Sequence, residues 1–238
     1  MSQPKLPPRG ISAAPVRALS GLRPSATMIV GTTAQLEPID PAAHGAELFA
    51  ASHGDEAALR IWDYLGYGPF ADQAAFNLWA EASAASIDPL YFAVRDLQSG
   101  RVGGVISYLN IAPSNGSIEI GHIWLAPFLQ NSRQGSEALY LSMANAFVLS
   151  YRRLEWKCNS LNTASRQAAA RLGFAYEGTF YQHMISKDRN RDTAWFSILD
   201  YEWPPIQANF QRWLGDENFD ADGQAQLSLG VLNRALRD

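Results

Sequence analysis

The chain has 238 residues, of which 47% are hydrophobic and 18% are charged, and this balance excludes a wholly disordered protein. Its net charge of −4 supplies no overall field for nucleic acid or anionic lipid, and no apolar run approaches the ~20 residues of a membrane-spanning helix. The single cysteine, Cys158, excludes an intrachain disulfide and a thiolate zinc site, so we expect a cytoplasmic protein with no metal.

The first third of the chain predicts a leader, a strand and helical segments. Residues 1–26 are rich in Pro, Ser, Ala and Arg and lack hydrophobic periodicity, which is typical of a flexible leader. β-branched and apolar residues over 27–39 predict a first strand, and an Asp-Pro pair opens a predicted helix over 40–49. A further helical region is predicted over 61–68 and 76–86, interrupted by a Tyr-Gly-Pro turn.

The middle of the chain alternates apolar strands and polar turns before any long helix appears. Gln-Ser-Gly and Asn-Gly turns join three strands in meander order. These strands are predicted over 91–97, 102–111 and 117–125. Apolar residues at spacings of three and four then predict a long helix over 136–150, with Ser136 as its cap.

The later part of the chain predicts a strand over 153–158 and an alanine-rich helix over 163–172. Two strands over 175–185 and 193–201 follow, and then two short helices over 206–214 and 224–236. Gly173 follows the alanine-rich helix at the position where a left-handed cap is common. This order of elements predicts a mixed α/β fold. It differs from the repeated strand and helix of doubly wound nucleotide folds.

Residues 125–139 join a strand to a helix through a polar loop. Unpaired backbone N–H groups at a helix start attract anions, so this loop can hold a phosphate or pyrophosphate. An ordinary capped helix start explains the same residues, and this segment alone favours that second interpretation. The sequence contains no Walker pattern and no three-glycine dinucleotide fingerprint, which argues against nucleotide hydrolysis and NAD chemistry.

Four local motifs accompany this order of elements. They are EIGHIWLAP at 119–127, QNSRQG at 130–135 followed by SEAL, NTAS at 162–165 followed by RLGF, and EGT at 177–179 leading to Arg191-Asp192. Together they resemble the GNAT superfamily of acetyl-CoA-dependent N-acetyltransferases, and most closely its RimJ/RimL-type branch. Because the resemblance covers roughly 27–203, we predict a leader over 1–26, an acetyltransferase domain over 27–203 and a helical appendage over 204–238.

The resemblance implies the acyl-CoA N-acyltransferase fold, in which helices flank a central, mostly antiparallel sheet that is splayed between its fourth and fifth strands. A bulge near His122 or Ile123 parts these strands, and the pantetheine arm of acetyl-CoA lies between them in the family. The residues implied for cofactor binding are Ile123, Trp124, Leu125, Gln130, Arg133, Gln134, Gly135, Ser136 and Asn162. The backbone N–H of Ile123 or Trp124 is the implied oxyanion donor.

Arg133 stands where the family pattern has its first loop glycine. A guanidinium group binds phosphate through two parallel hydrogen bonds, so we expect Arg133 to contact the pyrophosphate or ribose phosphate of coenzyme A. The alternative is that a long side chain at a position suited to glycine weakens cofactor binding.

Acetyl transfer to an amine needs a neutral amine, a polarised carbonyl and a proton for the departing thiolate. The resemblance points to Ser165 for the thiolate, although serine at a helix start is also an ordinary cap. Glu119 is the candidate base because burial would raise its pKa, and an outward-facing strand position is the alternative. His122, His183 and water compete for this role, and Met184 stands where some RimL-type relatives have a glutamate.

The acceptor is predicted to be a primary amine, on a protein N-terminus or a small molecule, that attacks directly in a ternary complex. A set of aromatic residues has two interpretations, lining of an acceptor cleft or packing in the core, and the sequence leaves both open. The residues of this set are Trp62, Tyr64, Tyr67, Phe70, Trp79, Tyr181 and Trp195. A non-catalytic acyl-CoA-binding or partner-docking module is the alternative function. We expect neither membrane nor direct nucleic-acid binding, and a homodimer stays open.

Overall fold

The computed structural model describes residues 5–16 and 21–237, which form one mixed sheet covered by helices. Residues 1–4 and 17–20 of the predicted leader, and residue 238, lie outside this part. The strands are β1 (Ile29–Val30), β2 (Ala34–Pro38), β3 (Leu90–Asp96), β4 (Val102–Ala112), β5 (Ser117–Leu125), β6 (Arg153–Asn159), β7 (Ala175–Ser186) and β8 (Arg189–Leu199). The helices are α1 (Pro41–His53), α2 (Glu56–Leu59), α3 (Gln73–Ala85), α4 (Arg133–Val148), α5 (Thr163–Arg171), α6 (Trp203–Leu214) and α7 (Leu229–Ala235).

The sheet order is β1-β2-β3-β4-β5-β6-β8-β7, and every neighbouring pair is antiparallel except β5 and β6. The predicted mixed α/β fold class is therefore confirmed. Because the two-residue β1 precedes the family's first strand, the strands that the resemblance counts as fourth and fifth are β5 and β6. None of the described helices is long and apolar enough to cross a membrane.

Side-chain alternation divides the core into two layers. Tyr91 of β3 packs with Leu48 and Phe76 on the face covered by α1 and α3, which we call the α1/α3 face. Its neighbour Phe92 packs with Met143 on the opposite face, covered by α4 and the later helices, which we call the α4 face. Successive residues of a strand point to opposite sides, so one strand contributes to both layers.

Two predicted segments differ from the structure for local reasons. The helix predicted over 61–68 is a short 3-10 turn that ends at Trp62. Gly68, with φ +64, then brings the backbone against the Trp62 ring, where a Cβ atom would lie 2.5 Å from the ring. The strand β8 begins earlier than predicted because Lys187 and Asp188, both with positive φ, make a two-residue turn.

The strand predicted over 27–39 is two strands, and Glu137 of α4 closes the turn between them. Its buried carboxylate accepts the backbone N–H groups of Thr32 (2.8 Å), Thr33 (2.5 Å) and Ala34 (2.9 Å), and the Thr33 hydroxyl (2.5 Å). Four donors converge on one carboxylate, so the long helix fixes the edge of the sheet.

The N-terminal segment contacts the rest of the fold. The Arg9 guanidinium binds the fully buried Glu202 at 2.6 Å and Glu177 at 2.8 Å. The Leu22 N–H donates to the carbonyl of Leu149 at 2.9 Å. The composition of the segment did not indicate these anchors, because they depend on single residues rather than on periodicity.

Replacing Glu137 with Gln removes the negative acceptor and places an NH₂ group among four donors. We expect Glu137→Gln to lose about 2–4 kcal/mol of unfolding free energy, measured by urea denaturation with circular dichroism. Glu81→Gln, on the exposed side of α3, removes the same charge and should change stability by less than about 0.5 kcal/mol. Equal, small losses in both variants would contradict the role of Glu137.

Candidate active site

β5 and β6 pair for only three residues and then separate. Their parallel ladder runs from Ser117 with Arg153 to Glu119 with Glu155. β5 continues to Leu125 and β6 continues beyond its own last pair, which leaves an opening that we call the β5–β6 gap. The predicted splay between these strands is confirmed. Because both strands run in the same direction, α4 and α5 begin at the same, open edge of the gap.

A β-bulge in β5 lies beside the gap. Ile106 of β4 faces two residues of β5, His122 and Ile123, and His122 has φ +48. One extra residue moves the following side chains to the other face of the sheet. Trp124 therefore packs on the α1/α3 face, whereas Ile120 packs on the α4 face. The bulge lies where the resemblance implied it.

The last residues of β5 present backbone groups to the gap. The Ala126 N–H donates to the Gly103 carbonyl of β4 at 2.7 Å. Successive N–H groups point to opposite sides along a strand. The N–H of Trp124 therefore points toward β4, so Trp124 is not placed as the implied oxyanion donor, and the N–H of Leu125 points toward the gap. The Leu125 carbonyl, on the same side, accepts the Gln130 side-chain amide at 2.8 Å.

The loop after β5 ends in a helix start that is open to an anion. α4 begins at Arg133, earlier than predicted, because Ser132 rather than Ser136 is the cap and accepts the Gly135 N–H at 2.9 Å. The N–H groups of Arg133 and Gln134 in the first turn have no partner among the described residues. The positive end of the helix dipole therefore remains available to a phosphate.

Gly135 and Ser136 shape this helix start without presenting side chains to the gap. A Cβ atom on Gly135 would lie 2.1 Å from the Leu129 carbonyl oxygen, so only glycine allows the loop to fold back so closely. The buried Ser136 hydroxyl donates to the Ser132 carbonyl at 2.9 Å and accepts from Arg171 at 3.1 Å. Its side chain therefore ties α4 to α5.

The Arg133 side chain turns toward the C-terminal segment. Its guanidinium donates to the Leu214 carbonyl and to Asp216 at 2.6 Å, and it lies 4.5 Å from the centre of the Phe219 ring. These partners hold the guanidinium against the C-terminal segment, and the phosphate contact of Arg133 stays a prediction.

Asn162 and Ser165 begin α5 on the other side of the gap. The Asn162 side-chain oxygen accepts the Ser165 N–H at 2.9 Å, as a helix cap does, and its NH₂ group has no partner in the part of the chain that is described. The Ser165 Oγ accepts the Trp156 indole N–H at 3.0 Å. Because Ser165 Oγ accepts from Trp156, its own hydroxyl hydrogen is left to donate.

Glu119 lies at the closed end of the gap and is only 5% exposed, so the outward-facing alternative is wrong. Its Oε2 accepts from Asn110 at 2.7 Å and from Lys157 at 2.8 Å. Burial raises the pKa of Glu119, and Lys157 and Asn110 oppose part of this rise. Oε1 has no hydrogen bond from any described residue and lies 3.3 Å from where a Cβ of Gly121 would be. This oxygen is free to accept a proton.

Aromatic rings surround the bulge on the α1/α3 face. The Tyr67 ring lies 5.4 Å from His122, and burial, with a contribution from the charge of Arg191, lowers the pKa of His122. The rings of this cluster are Trp62, Tyr67, Phe70, Phe76, Trp79, Tyr91 and Trp124. Of the predicted aromatic set, Tyr181 is 80% exposed and lies outside the cluster. Trp195 lies under the Lys157 ammonium at 3.9 Å instead.

Two side chains connect the segments that border the gap. The Tyr64 hydroxyl donates to the Leu161 carbonyl at 3.3 Å, between the α2–α3 segment and the β6–α5 loop. The Lys187 ammonium donates to the Trp62 carbonyl at 2.7 Å, between the β7–β8 hairpin and the same α2–α3 segment. Three segments that are distant in sequence are therefore joined beside the gap.

The structure distinguishes the competing candidate bases by their exposure. The His183 ring is exposed and lies 3.0 Å from the Thr193 hydroxyl, and Met184 is also exposed. Sequence reasoning missed Lys157, which the structure brings to the Glu119 carboxylate. Across residues 5–16 and 21–237, no group of three or more His, Cys, Asp or Glu side chains is arranged to hold a metal ion.

Comparison with known proteins finds a matching family and similar solved structures. Residues 35–175 match the acetyltransferase (GNAT) domain. A GCN5-related N-acetyltransferase from Brucella melitensis is 43% identical with a TM-score of 0.89, over 92% of this chain and 99% of that chain. A GNAT-family acetyltransferase from Chromobacterium violaceum is 40% identical with a TM-score of 0.75, over 83% of this chain and 99% of that chain. Among curated proteins, none matches the sequence.

The chain belongs to the GNAT acetyltransferase family, whose members use acetyl-CoA as cosubstrate. An acetyltransferase from Salmonella typhimurium that modifies the N-terminal serine of ribosomal protein L7/L12 is 20% identical with a TM-score of 0.62, over 73% of this chain and 99% of that chain. At that identity the likeness shows the fold alone.

Removing the Lys157 ammonium leaves Glu119 buried without a cation. The pKa of Glu119 then rises further. A buried carboxyl with a raised pKa favours the folded protein only while it is protonated, so the free energy of unfolding falls as the pH rises through that pKa. We expect Lys157→Gln to be destabilised by about 3 kcal/mol at about pH 8 and by less at about pH 5, measured by urea denaturation. Glu119→Gln in the same chain should recover most of the loss. A loss that is independent of pH would show that Lys157 acts through packing alone.

Proposed function

We propose that this protein transfers an acetyl group from acetyl-CoA to a primary amine, by direct attack of the amine in a ternary complex. The observation that carries the proposal is the β5–β6 gap, which runs from a buried carboxylate to a helix start with two amides that no described residue occupies. An extended arm with a diphosphate at one end and a reactive acyl group at the other matches this arrangement.

The residues proposed to hold acetyl-CoA border the gap on both sides. They are Ile123, Trp124 and Leu125 on β5, Gln130, Arg133, Gln134, Gly135 and Ser136 at the helix start, and Asn162 on the far side. The close approach of Leu129 to Gly135 supports the fit, because it keeps the amides of Arg133 and Gln134 directed at one point. We propose that Arg133 contributes its backbone amide, while its guanidinium holds the C-terminal segment.

Acetyl-CoA supplies an activated acyl group, and two side chains are proposed to manage the protons. As the amine nitrogen bonds to the acyl carbon and the carbon–sulfur bond breaks, Glu119 Oε1 accepts the proton that leaves the amine, directly or through water. Ser165 donates its hydroxyl hydrogen to the sulfur and regains one from solvent. The raised pKa of Glu119 supports its role as the base, and His122 is the competing base because its lowered pKa favours a neutral ring.

The acceptor is proposed to be a protein N-terminus or a small-molecule amine. The RimJ/RimL-type motifs and the Salmonella acetyltransferase support the first, and the aromatic cluster beside the bulge suits the second. We propose cytoplasmic action, because one cysteine cannot form the intrachain disulfides of secreted domains. The division into a leader over 1–26, a domain over 27–203 and an appendage over 204–238 is likewise proposed.

Titration calorimetry with acetyl-CoA, followed by thiol release with a panel of amines, tests the proposal. We expect binding, and turnover with at least one amine that gains the mass of an acetyl group. Gly135→Ala should weaken acetyl-CoA binding about tenfold or more, because the loop must open to admit the Cβ atom. Gly230→Ala on α7, where a Cβ would make ordinary contacts, is the matched control. Binding without turnover would favour a non-catalytic acyl-CoA-binding module, and absence of binding would refute both functions.

Ser165→Ala removes the proposed proton donor while leaving the helix cap in place. We expect kcat to fall about 100-fold and the dissociation constant of acetyl-CoA to change by less than about threefold. Thr163→Ala, in the exposed first turn of the same helix, should leave both values unchanged. An unchanged kcat with weaker acetyl-CoA binding would assign Ser165 to binding rather than to proton transfer.

A further inference from the structure

Four of the buried polar atoms that have no hydrogen-bond partner in the described chain lie on β5, on β8 or in the segment that packs against the β5 bulge. They are Tyr67 Oη, Trp124 Nε1, Trp195 Nε1 and Arg191 Nε. The indole and guanidinium groups among them can only donate. Buried donors are almost always satisfied in folded proteins, so this set indicates a ligand that brings acceptor oxygens.

Arg191 lies on β8, beside the end of β6 that borders the gap. The carbonyl of its neighbour Asp192 accepts the Ser160 N–H at 2.8 Å, which places Arg191 just past the end of β6. On the β5 side, the charge of Arg191 adds to burial in lowering the pKa of His122. On the β6 side, burial raises the pKa of Cys158 and the charge of Arg191 opposes it. The guanidinium therefore acts on the bulge and on the end of β6 together.

The charge of Arg191 has no carboxylate partner within residues 5–16 and 21–237. The adjacent Asp192 carboxylate instead accepts the backbone N–H of Gln182 at 2.7 Å. The Glu119 carboxylate is already held by Lys157. A cation that is partly buried and unpaired gives this end of the gap a positive potential.

We infer that the acceptor is an amine that also carries a carboxylate, and that Arg191 binds this carboxylate at the mouth of the gap. The inference rests on the proposed acetyl transfer and narrows its acceptor to amino acids and related small molecules. Two carboxylate oxygens match the paired donors of a guanidinium, and the Trp195 indole N–H offers a further donor. A polycationic amine would meet an unpaired positive charge here, and a protein N-terminus carries no carboxylate beside its amine.

Matched acceptors that differ only in the carboxylate test this inference. We would compare amino acids, their carboxamides and the corresponding decarboxylated amines in thiol release with the full chain. We expect kcat/KM to be about tenfold or more higher for an amino acid than for its carboxamide. Equal values for the acid and the carboxamide would overturn the inference while leaving acetyl transfer intact.

Variants at two arginines of the same hairpin locate the effect. Arg191→Gln should raise KM for amino acids about 10- to 100-fold and change KM for carboxamides and Kd for acetyl-CoA by less than about twofold. Arg191→Lys keeps the charge and should show a smaller loss, and Arg189→Gln, at the exposed start of β8, should match the unmodified protein. Equal losses for all acceptors, or weaker acetyl-CoA binding, would place Arg191 on the cosubstrate instead.

Equilibrium binding separates failure of this inference from failure of acetyl transfer. Quenching of tryptophan fluorescence by amino acids reports binding without turnover, because Trp124 lies on β5 and Trp195 lies on the same strand as Arg191. If no amine reacts but amino acids bind to the unmodified protein and not to Arg191→Gln, the carboxylate site stands and the proposed transfer fails. If amino acids neither bind nor react while other amines are acetylated, the carboxylate site is refuted.

Discussion

The candidate site depends on one interruption of the sheet, the separation of β5 from β6 after the pair formed by Glu119 and Glu155. Beyond that pair, β5 keeps an antiparallel partner on one side and has an unpaired edge on the other. An unpaired strand edge inside a fold carries backbone donors and acceptors that need partners. Gln130 satisfies the Leu125 carbonyl, and the remaining edge is suited to a ligand that carries amides along its length.

The bulge at His122 couples this interruption to the chemistry on either side of the sheet. It places Trp124 among the aromatic rings of the α1/α3 face, while Ile120 stays in the core of the α4 face. The same strand therefore leads to the open helix start at Arg133 and also carries His122, on which the charge of Arg191 acts. A strand without the bulge would place Trp124 and Ile120 on the same face. β5 would then not contribute Trp124 to the aromatic cluster on the α1/α3 face.

Periodicity and turn residues predicted most of the fold, because they are local properties of the chain. Only the motifs predict the splay and its bulge, since no periodicity distinguishes a parted strand from a paired one. The sequence predicts the start of α4 too late, because Ser132 and Ser136 are equivalent caps in sequence and only the position of Gly135 decides between them. Lys157 and Arg191 could not be assigned, because their roles depend on strands brought together by long-range pairing.

The environment of Glu119 explains how a carboxylate can be paired with a cation and still keep a raised pKa. Its partner Lys157 is shared, since the ammonium also lies 3.2 Å from Glu155 and 3.9 Å from the centre of the Trp195 ring. Arg153 binds Glu155 at 2.7 Å, so Glu155 in turn does not depend on Lys157 alone. Because a shared cation lowers the pKa of each neighbour less than a dedicated one, burial outweighs it and the pKa of Glu119 remains raised. A bidentate arginine in place of Lys157 would favour the charged carboxylate more strongly and weaken its basicity.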